Sequence, residues 1–417
     1  MLNSITPTLQ FLLVKGMFAC LTFLLLSLNL KGQSGQAETA YFEEVTSSHF
    51  PLDSNTHALD MVLVDVNSDG LLDIALALEK EPNRLYINDG EGKFIWKKSV
   101  FAAENHDSEH VRAADFNNDG YIDLIFVAED DQNHEYYFGN GDGTFSDESK
   151  KLPAKSEGNA LDVGDINGDG LVDVVIGNTG ELPANFVWLN NPQEPGTFLE
   201  HDAGQLSSDM DLTQSVKMID VDQDGDLDIA VGNERAPSRL YFNDGEANFA
   251  EVQGNLPQDV PLHTREVVAF DANDDGLVDL FYANLTSNGG EKEYDPTGRL
   301  FINTGGGKFE DQTAQRIPTY DFSTYAANAI DYDQDGDMDL LLSAVKIPPF
   351  DPMPVQVLEN DGEGNFILKN KEVIPAQFLA RSWGIAIGDL NGDQVSDLII
   401  GAWGGQVRIL FGKKQDK

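Results

Sequence analysis

The sequence predicts an all-β fold: a seven-bladed β-propeller of four-stranded antiparallel blades, with an N-terminal strand completing the last blade and closing the ring. Three observations predict it. A nine-residue acidic pattern recurs seven times, starting at Asp65, Asp115, Asp165, Asp220, Asp271, Asp331 and Asp389, in steps of 50, 50, 55, 51, 60 and 58 residues. Each copy is embedded in short apolar runs of strand character and in Asn-Gly or Asp-Gly turns. The last copy lacks a fourth strand, and the start of the domain supplies a spare one.

The strand assignments follow from local pattern. Ahead of each acidic loop stands an apolar segment such as Met61–Val64 or Val267–Phe270; after it comes a β-branched run such as Val172–Ile176 or Leu398–Ile400. A third segment reads Arg-Leu-aromatic-apolar-Asn, as in Arg84–Asn88, Arg239–Asn243 and Arg299–Asn303. Turns such as Asn88–Phe94, Gly139–Phe145 and Asn360–Phe366 then lead into a fourth strand. Their Asp-Gly and Asn-Gly pairs accept the positive φ of tight hairpins. The final repeat ends on its third strand, Val407–Gly412. Tyr41–Thr46 has the composition of a fourth strand and resembles Phe309–Thr313. Joining the two leaves no open sheet edge.

The acidic pattern has the chemistry of a calcium loop. Oxygen side chains stand at positions one, three, five and nine, a backbone carbonyl at seven, and Gly at six gives the sharp turn. The ligand sets are Asp65, Asn67, Asp69, Leu71 and Asp73; Asp115, Asn117, Asp119, Tyr121 and Asp123; Asp165, Asn167, Asp169, Leu171 and Asp173; Asp220, Asp222, Asp224, Asp226 and Asp228; Asp271, Asn273, Asp275, Leu277 and Asp279; Asp331, Asp333, Asp335, Asp337 and Asp339; and Asp389, Asn391, Asp393, Val395 and Asp397. The seventh loop has Gln394 in place of Gly, so it binds more weakly or needs a strained left-handed residue. An EF-hand would need Glu at position twelve, where Leu76, Ile176 and Val231 stand. A lone Asp-Gly turn would be only a turn; seven with full ligand sets predict about seven structural Ca²⁺ ions. Identical repetition argues against catalytic metal, which sits in one cleft with an open position.

Repeats of this form, with the later Asn-Asp-Gly-x-Gly-x-Phe turn, resemble the FG-GAP/VCBS repeat family, which includes the N-terminal propeller of integrin α chains. The resemblance spans residues 41–412. It implies calcium in the hairpin between the first and second strands of each blade, and says little about function.

Composition narrows the function. The chain has 417 residues, 41% apolar, one Cys and a net charge of −44. Such acidity disfavours nucleic acid and anionic membrane surfaces, which need clustered Lys and Arg. Met17–Leu30 is an apolar run of signal-peptide length after Lys15, and Gly35-Gln36-Ala37 offers a cleavage site. Residues 1–37 are therefore expected to be an export signal, with a retained anchor as the alternative; residues 413–417 form a short polar tail. The mature chain would carry −46 and no Cys, and seven Ca²⁺ would relieve part of its self-repulsion. It is expected to be a monomer that is secreted, periplasmic or on the cell surface, with no membrane insertion of the mature domain.

Function is expected where the repeats vary. Asn284–Gly298 and Ala344–Pro354 are long loops that read equally well as tolerated insertions. Asn284-Leu-Thr286 is a glycosylation sequon. Six residues before each loop stand Leu59, Glu109, Asn159, Gln214, Arg265, Tyr325 and Trp383, which suit either a ring at a channel mouth or ordinary strand ends. Three residues before the loop stand Arg112, Asp162 and Lys217, expected to pair across neighbouring blades. His57, His110 and His263 read as solvated rather than catalytic, and no zinc, Walker or dinucleotide motif is present. The expected function is a binding or adhesion module that recognises an extracellular protein or glycan through the face opposite the calcium loops, with Arg265, Tyr325, Arg381 and Trp383 as ligand-contact candidates. A calcium-dependent polysaccharide lyase or hydrolase is the alternative.

Overall fold

The computed structural model describes residues 41–53, 55–181, 183–257, 260–286, 293–346, 351–369, 373–375 and 381–415. The expected export signal lies outside them. After β1 (Phe42–Glu44) the chain forms successive four-stranded antiparallel sets: β2 (Thr56–Val64), β3 (Asp73–Glu81), β4 (Arg84–Asn88) and β5 (Phe94–Lys97); β6 (His106–Ala114), β7 (Asp123–Ala128), β8 (Glu135–Gly139) and β9 (Phe145–Asp147). Next come β10 (Gly158–Gly164), β11 (Asp173–Asn178), β12 (Phe186–Asn190) and β13 (Phe198–His201); then β14 (Leu212–Ile219), β15 (Asp228–Ala236), β16 (Arg239–Asn243) and β17 (Phe249–Glu251). The remainder are β18 (Leu262–Phe270), β19 (Asp279–Asn284), β20 (Arg299–Asn303) and β21 (Phe309–Asp311); β22 (Phe322–Ile330), β23 (Asp339–Lys346), β24 (Gln356–Asn360) and β25 (Phe366–Leu368); and β26 (Arg381–Gly388), β27 (Asp397–Gly405) and β28 (Arg408–Gly412). The strand β1 pairs antiparallel with β28, Phe42 opposite Gly412 and Glu44 opposite Leu410.

The second strand of each set is its core. All six residues of β7, β11 and β19 are buried, as expected of largely apolar runs covered on both faces. The apolar clusters lie between neighbouring sheets. One joins Val175, Val187, Val216 and Ile229; another joins Ile74, Leu76 and Tyr86 to Ile399, Val407 and Ile409. First strands pack against first strands from one set to the next, and β26 packs against β2. Repeated four-stranded antiparallel sheets packed in this way fit a β-propeller.

Polar contacts tie the sheets together at the acidic-loop end. The Asn closing a third strand is buried and donates through its side chain twice. Asn303 reaches the Val278 carbonyl (3.1 Å) and the Val221 carbonyl of the preceding set (2.8 Å). Asn190, Asn243 and Asn360 do the same to Phe116, Ile166 and Ala272, and Asn88 reaches Leu390. Two sets have Gly139 and Gly412 at this position, where a Cβ would meet the Ile122 or Ser396 carbonyl at 2.1 or 2.4 Å. Asn303→Ala strands two buried carbonyls and is expected to cost about 2 kcal/mol, measured as a lower midpoint in urea unfolding at unchanged slope.

Candidate functional site

The acidic loops are built alike. In the first, both Asp65 oxygens accept loop amides, from Asp69 (3.2 Å) and Gly70 (2.8 Å), and Asp69 accepts the Leu71 amide at 2.9 Å. Asp73 is fully buried. It accepts the Val66 amide at 3.2 Å and the Asn88 amide of the third strand at 2.8 Å. The equivalent contacts recur at Asp123, Asp173, Asp228, Asp279, Asp339 and Asp397. Burial, reinforced by the acidic neighbours, pushes these carboxyls up, Asp73 and Asp279 to about 6, Asp339 to about 8 and the others to about 7.

The donor set suits a hard cation. In the two loops with Asp at positions one, three, five and nine, carboxylate oxygens of Asp220, Asp222 and Asp228, and of Asp331, Asp333 and Asp339, lie within 4.8 Å of one another. In the fifth loop the Asn273 side-chain oxygen is buried without a hydrogen-bond donor, as a ligand oxygen would be. Gln394 does take a positive φ of 68°, at a cost of about 1 kcal/mol. Position four is also left-handed, at Ser68, Asn118, Gln223, Asp274 and Gln334; this second demand on the backbone went unread in the sequence. The seventh loop meets it with Gly392 (φ 79°).

The other end of the first strands holds a different site. Each first strand carries a register break, and the residue it leaves unpaired stands six before the loop: Leu59, Glu109, Asn159, Gln214, Arg265 and Tyr325, with Trp383 inside the break of β26. A bulge re-aims a side chain out of the pleat. Leu59, Glu109, Arg265, Tyr325 and Trp383 accordingly line one cavity of about 550 Å³. Asn159 and Gln214 join by accepting hydrogen bonds from the Arg265 guanidinium, the former at 3.1 Å. The positions thus form a mouth.

Its walls are preorganised. Tyr325 and Trp383 stack at 4.2 Å and 14° between planes, and Trp383 stacks on Trp403 at 5.8 Å and 12°. Arg265 caps the Tyr325 face at 5.8 Å, and His57 lies 5.0 Å from Trp403. With both faces of Trp383 covered, the stack is a rigid wall that presents edges to the cavity. Opposite charge completes it: Arg265 is 3.6 Å from Glu109. Burial pushes the Glu109 carboxyl up to about 8 despite Arg265, with acidic neighbours adding to it; burial likewise pushes Glu266 to about 7 against Arg112. Three of the four ligand-contact candidates converge; the Arg381 side chain lies outside the described residues. Trp403 is a wall residue that the repeat pattern did not single out, because it sits on a second strand.

Below the mouth, Arg112 and Lys217 flank Asp162, each at 3.6 Å, so the expected cross-sheet pairing is present. Asp60 anchors the group: it accepts from Arg112 at 2.7 Å and from the Val111 amide at 3.2 Å, and contacts His110 at 3.1 Å. Burial alone would raise its carboxyl, but Arg112, His110 and the Val111 amide hold it well below the usual carboxylate range.

Two sequence expectations fail here. His263 is buried in β18, not solvated, and burial with Arg265 and Arg235 nearby pushes it down to about 3. The Asn284 sequon is also buried: its amide donates to the Thr297 carbonyl at 3.0 Å and its oxygen accepts from Thr264 at 2.8 Å, so no glycan can reach it in the folded chain. In the second long loop the Lys346 amide donates to the Asp351 carbonyl at 2.9 Å, folding the segment back; residues 287–292 and 347–350 lie outside the described part. Asp60→Ala removes one partner of a buried charge group and is expected to cost about 3 kcal/mol. Because the native carboxyl is depressed, that contribution is complete above the unfolded value near 4 and is lost as the pH falls below it. Urea titrations of both proteins at pH 7 and pH 3 check this.

Comparison with known proteins agrees with the repeat pattern. A family model described as FG-GAP-like repeat matches residues 65–126, 115–176, 165–231, 220–282 and 271–342. Cartilage acidic protein 1 of Xenopus tropicalis is 28% identical over 179 residues, 42% of this chain and 26% of its own length; the chain spans about a quarter of that relative. Crystal structures of BBS1N in complex with ARL6DN, soaked with mercury or with lead, superpose with TM-scores of 0.53 at 11% and 12% identity. They cover 90% and 91% of this chain and 98% and 97% of their own. At that identity the likeness is one of fold. The matched segments each begin at the first Asp of an acidic loop and run into the second strand of the next repeat, so the unit measured by the loops and sheets is the unit of the family: this chain belongs to the FG-GAP-like repeat family.

Proposed function

We propose that this chain is an exported binding module: a seven-bladed propeller, closed by β1 on β28 and stapled by a Ca²⁺ in each acidic loop, that takes an extracellular protein segment or a glycan at the channel mouth. The observation that carries this reading is the convergence of five bulged residues, Leu59, Glu109, Arg265, Tyr325 and Trp383, on one cavity that extends along the first strands to Phe270, Met338 and Ile387 beside the acidic loops. Repetition at the loop end suits a scaffold; seven non-equivalent residues at the other end suit recognition. Closure is supported by the β1–β28 pairing and by the Asn88 contact to Leu390. Export is supported by the net charge, the apolar N-terminal run and the relative named for cartilage. Among the described residues no helix is long and apolar enough to cross a membrane.

A second reading, a polysaccharide-degrading enzyme, is favoured by one observation: two carboxyls held high, Glu109 and Glu266, face the same cavity as Arg265 and Tyr325. A glycan array and an extracellular-protein panel, read with a turnover assay on every hit, separate the two. Binding without turnover supports the module; saturable cleavage abolished by Glu266→Gln supports the enzyme. In either case Trp383→Ala is expected to weaken binding at least tenfold, about 1.4 kcal/mol, with the calcium-dependent melting transition retained. Full affinity in that variant would move the site away from the mouth.

The staples have their own test. An ion bound only by the folded loops stabilises in proportion to its occupancy, so chelation with excess EDTA is expected to lower the melting temperature by on the order of 10 °C or more. Restoring Ca²⁺ should reverse the shift, and an unchanged melting curve would remove calcium from the account.

A further inference from the structure

We propose that Asp107, Glu129 and Asp130 form an additional cation site at the rim of the channel mouth, separate from the repeated loops and suited to a hard divalent ion of the Ca²⁺ class. One carboxylate oxygen from each of the three lies within 4.8 Å of the others. Proximity of acids alone would not distinguish a site from a solvated patch. The deciding observation is at Asp107. It is 8% exposed, and its Oδ1 is sealed from solvent and accepts no hydrogen bond. Its Oδ2 accepts the Asp130 amide at 3.2 Å. A buried carboxylate oxygen without a donor is costly, and the acids grouped with Asp107, namely Glu129 and Asp130, with Glu79 across the register, are themselves anionic. A cation is the partner that this geometry lacks.

The surroundings hold the group in place without neutralising it. The Glu129 amide donates to the Asp107 carbonyl at 3.1 Å, and the Thr179 hydroxyl donates to Glu129 Oε1 at 2.7 Å. Glu79 stands opposite Asp107 across the β3–β6 register. The nearby cation is Lys80, whose ammonium is paired to Glu79 and whose side chain is 66% exposed. One lysine therefore faces four carboxylates, a deficit that a divalent ion nearly cancels. The donor set is all oxygen. His106, the adjacent imidazole, is already held by Asp131 at 2.7 Å and lies 3.4 Å from Glu135. Oxygen donors of this kind select Ca²⁺ or Mg²⁺ over zinc and copper.

The location gives the site a role. Glu79 accepts the indole hydrogen of Trp403, so the acidic rim is bonded to the aromatic wall of the mouth. Three protein ligands leave several of the roughly six to eight positions around Ca²⁺ open to water or to an oxygen of a bound partner. Glu79 and Glu234 stand at the place of Glu129 in the first and fourth repeats, but His57 and Leu212 stand at the place of Asp107 and Lys80 and Arg235 at that of Asp130, so those repeats do not reproduce the three-acid set.

Crystals of the protein soaked in Tb³⁺, a Ca²⁺ surrogate with strong anomalous scattering, test this directly. The expected result is a peak among the carboxylates of Asp107, Glu129 and Asp130 that disappears in Asp107→Asn while the loop peaks persist. Calcium titration by calorimetry should lose one site of the total in the same variant. No rim peak in the wild type, whether or not the loops are filled, would overturn the proposal, as would an unchanged peak in the variant. Should Asp107→Asn fail to fold, Glu129→Gln serves the same purpose from a less buried position. The loop sites are read independently in the same map, so failure at the rim and failure of the scaffold calcium are distinguishable.

Discussion

The structure depends on one buried carboxylate per repeat. The Asp at position nine of each loop belongs at once to the loop, through the amide of position two, and to the sheet, through the amide that ends the third strand. It fixes where the hairpin sits relative to the sheet, and the neighbouring Asn carries that position to the previous sheet. A carboxylate in this place is expensive to bury, which is why its proton is held so tightly. The acids at positions one and five, with an Asn or Asp at position three, converge on the same loop. The hydrogen bonds of this carboxylate and of the Asn beside it register each sheet against the next.

At the opposite end of the first strands the governing device is backbone, not charge. A bulge on every first strand takes one side chain out of the alternation, and five of the seven line one cavity. Seven such breaks let seven unrelated residue types meet without disturbing the repeated core. The stack of Tyr325, Trp383 and Trp403 and the pairing of Arg265 with Glu109 are products of that convergence. One end of the molecule is thereby constrained to repeat, and the other is free to differ.

Much of this was legible in the sequence. The loops, the four-strand unit and the partnership of Tyr41–Thr46 with Val407–Gly412 follow from spacing and alternation. The pairing of Arg112 and Lys217 with Asp162 was legible because charges inside an apolar strand must find partners. Less was legible where a residue's role depends on a distant neighbour. Asn303 reads as no more than the last residue of a third strand until the Val221 carbonyl, far away in the chain, is seen to accept from it. Nothing local marks Asp60, inside β2, as the partner of His110 and Arg112. His263 and Asn284 read as surface groups because local composition does not report which side of a strand is covered.

By itself, then, the sequence determined what is local and periodic: the acidic loops, the strand order, the repeat length and the acidic character. These are set by ligand spacing and side-chain alternation within a few residues, and seven copies make them unmistakable. Tertiary structure decided the mouth, its aromatic wall and the carboxylate cluster at its rim. The bulged residues come from different sheets, Trp383 and Trp403 from paired strands of one sheet, and Asp107 meets Glu129 and Asp130 across the β6–β7 pair; the register break that aims Arg265, Tyr325 and Trp383 inward is a property of paired strands, not of either strand alone.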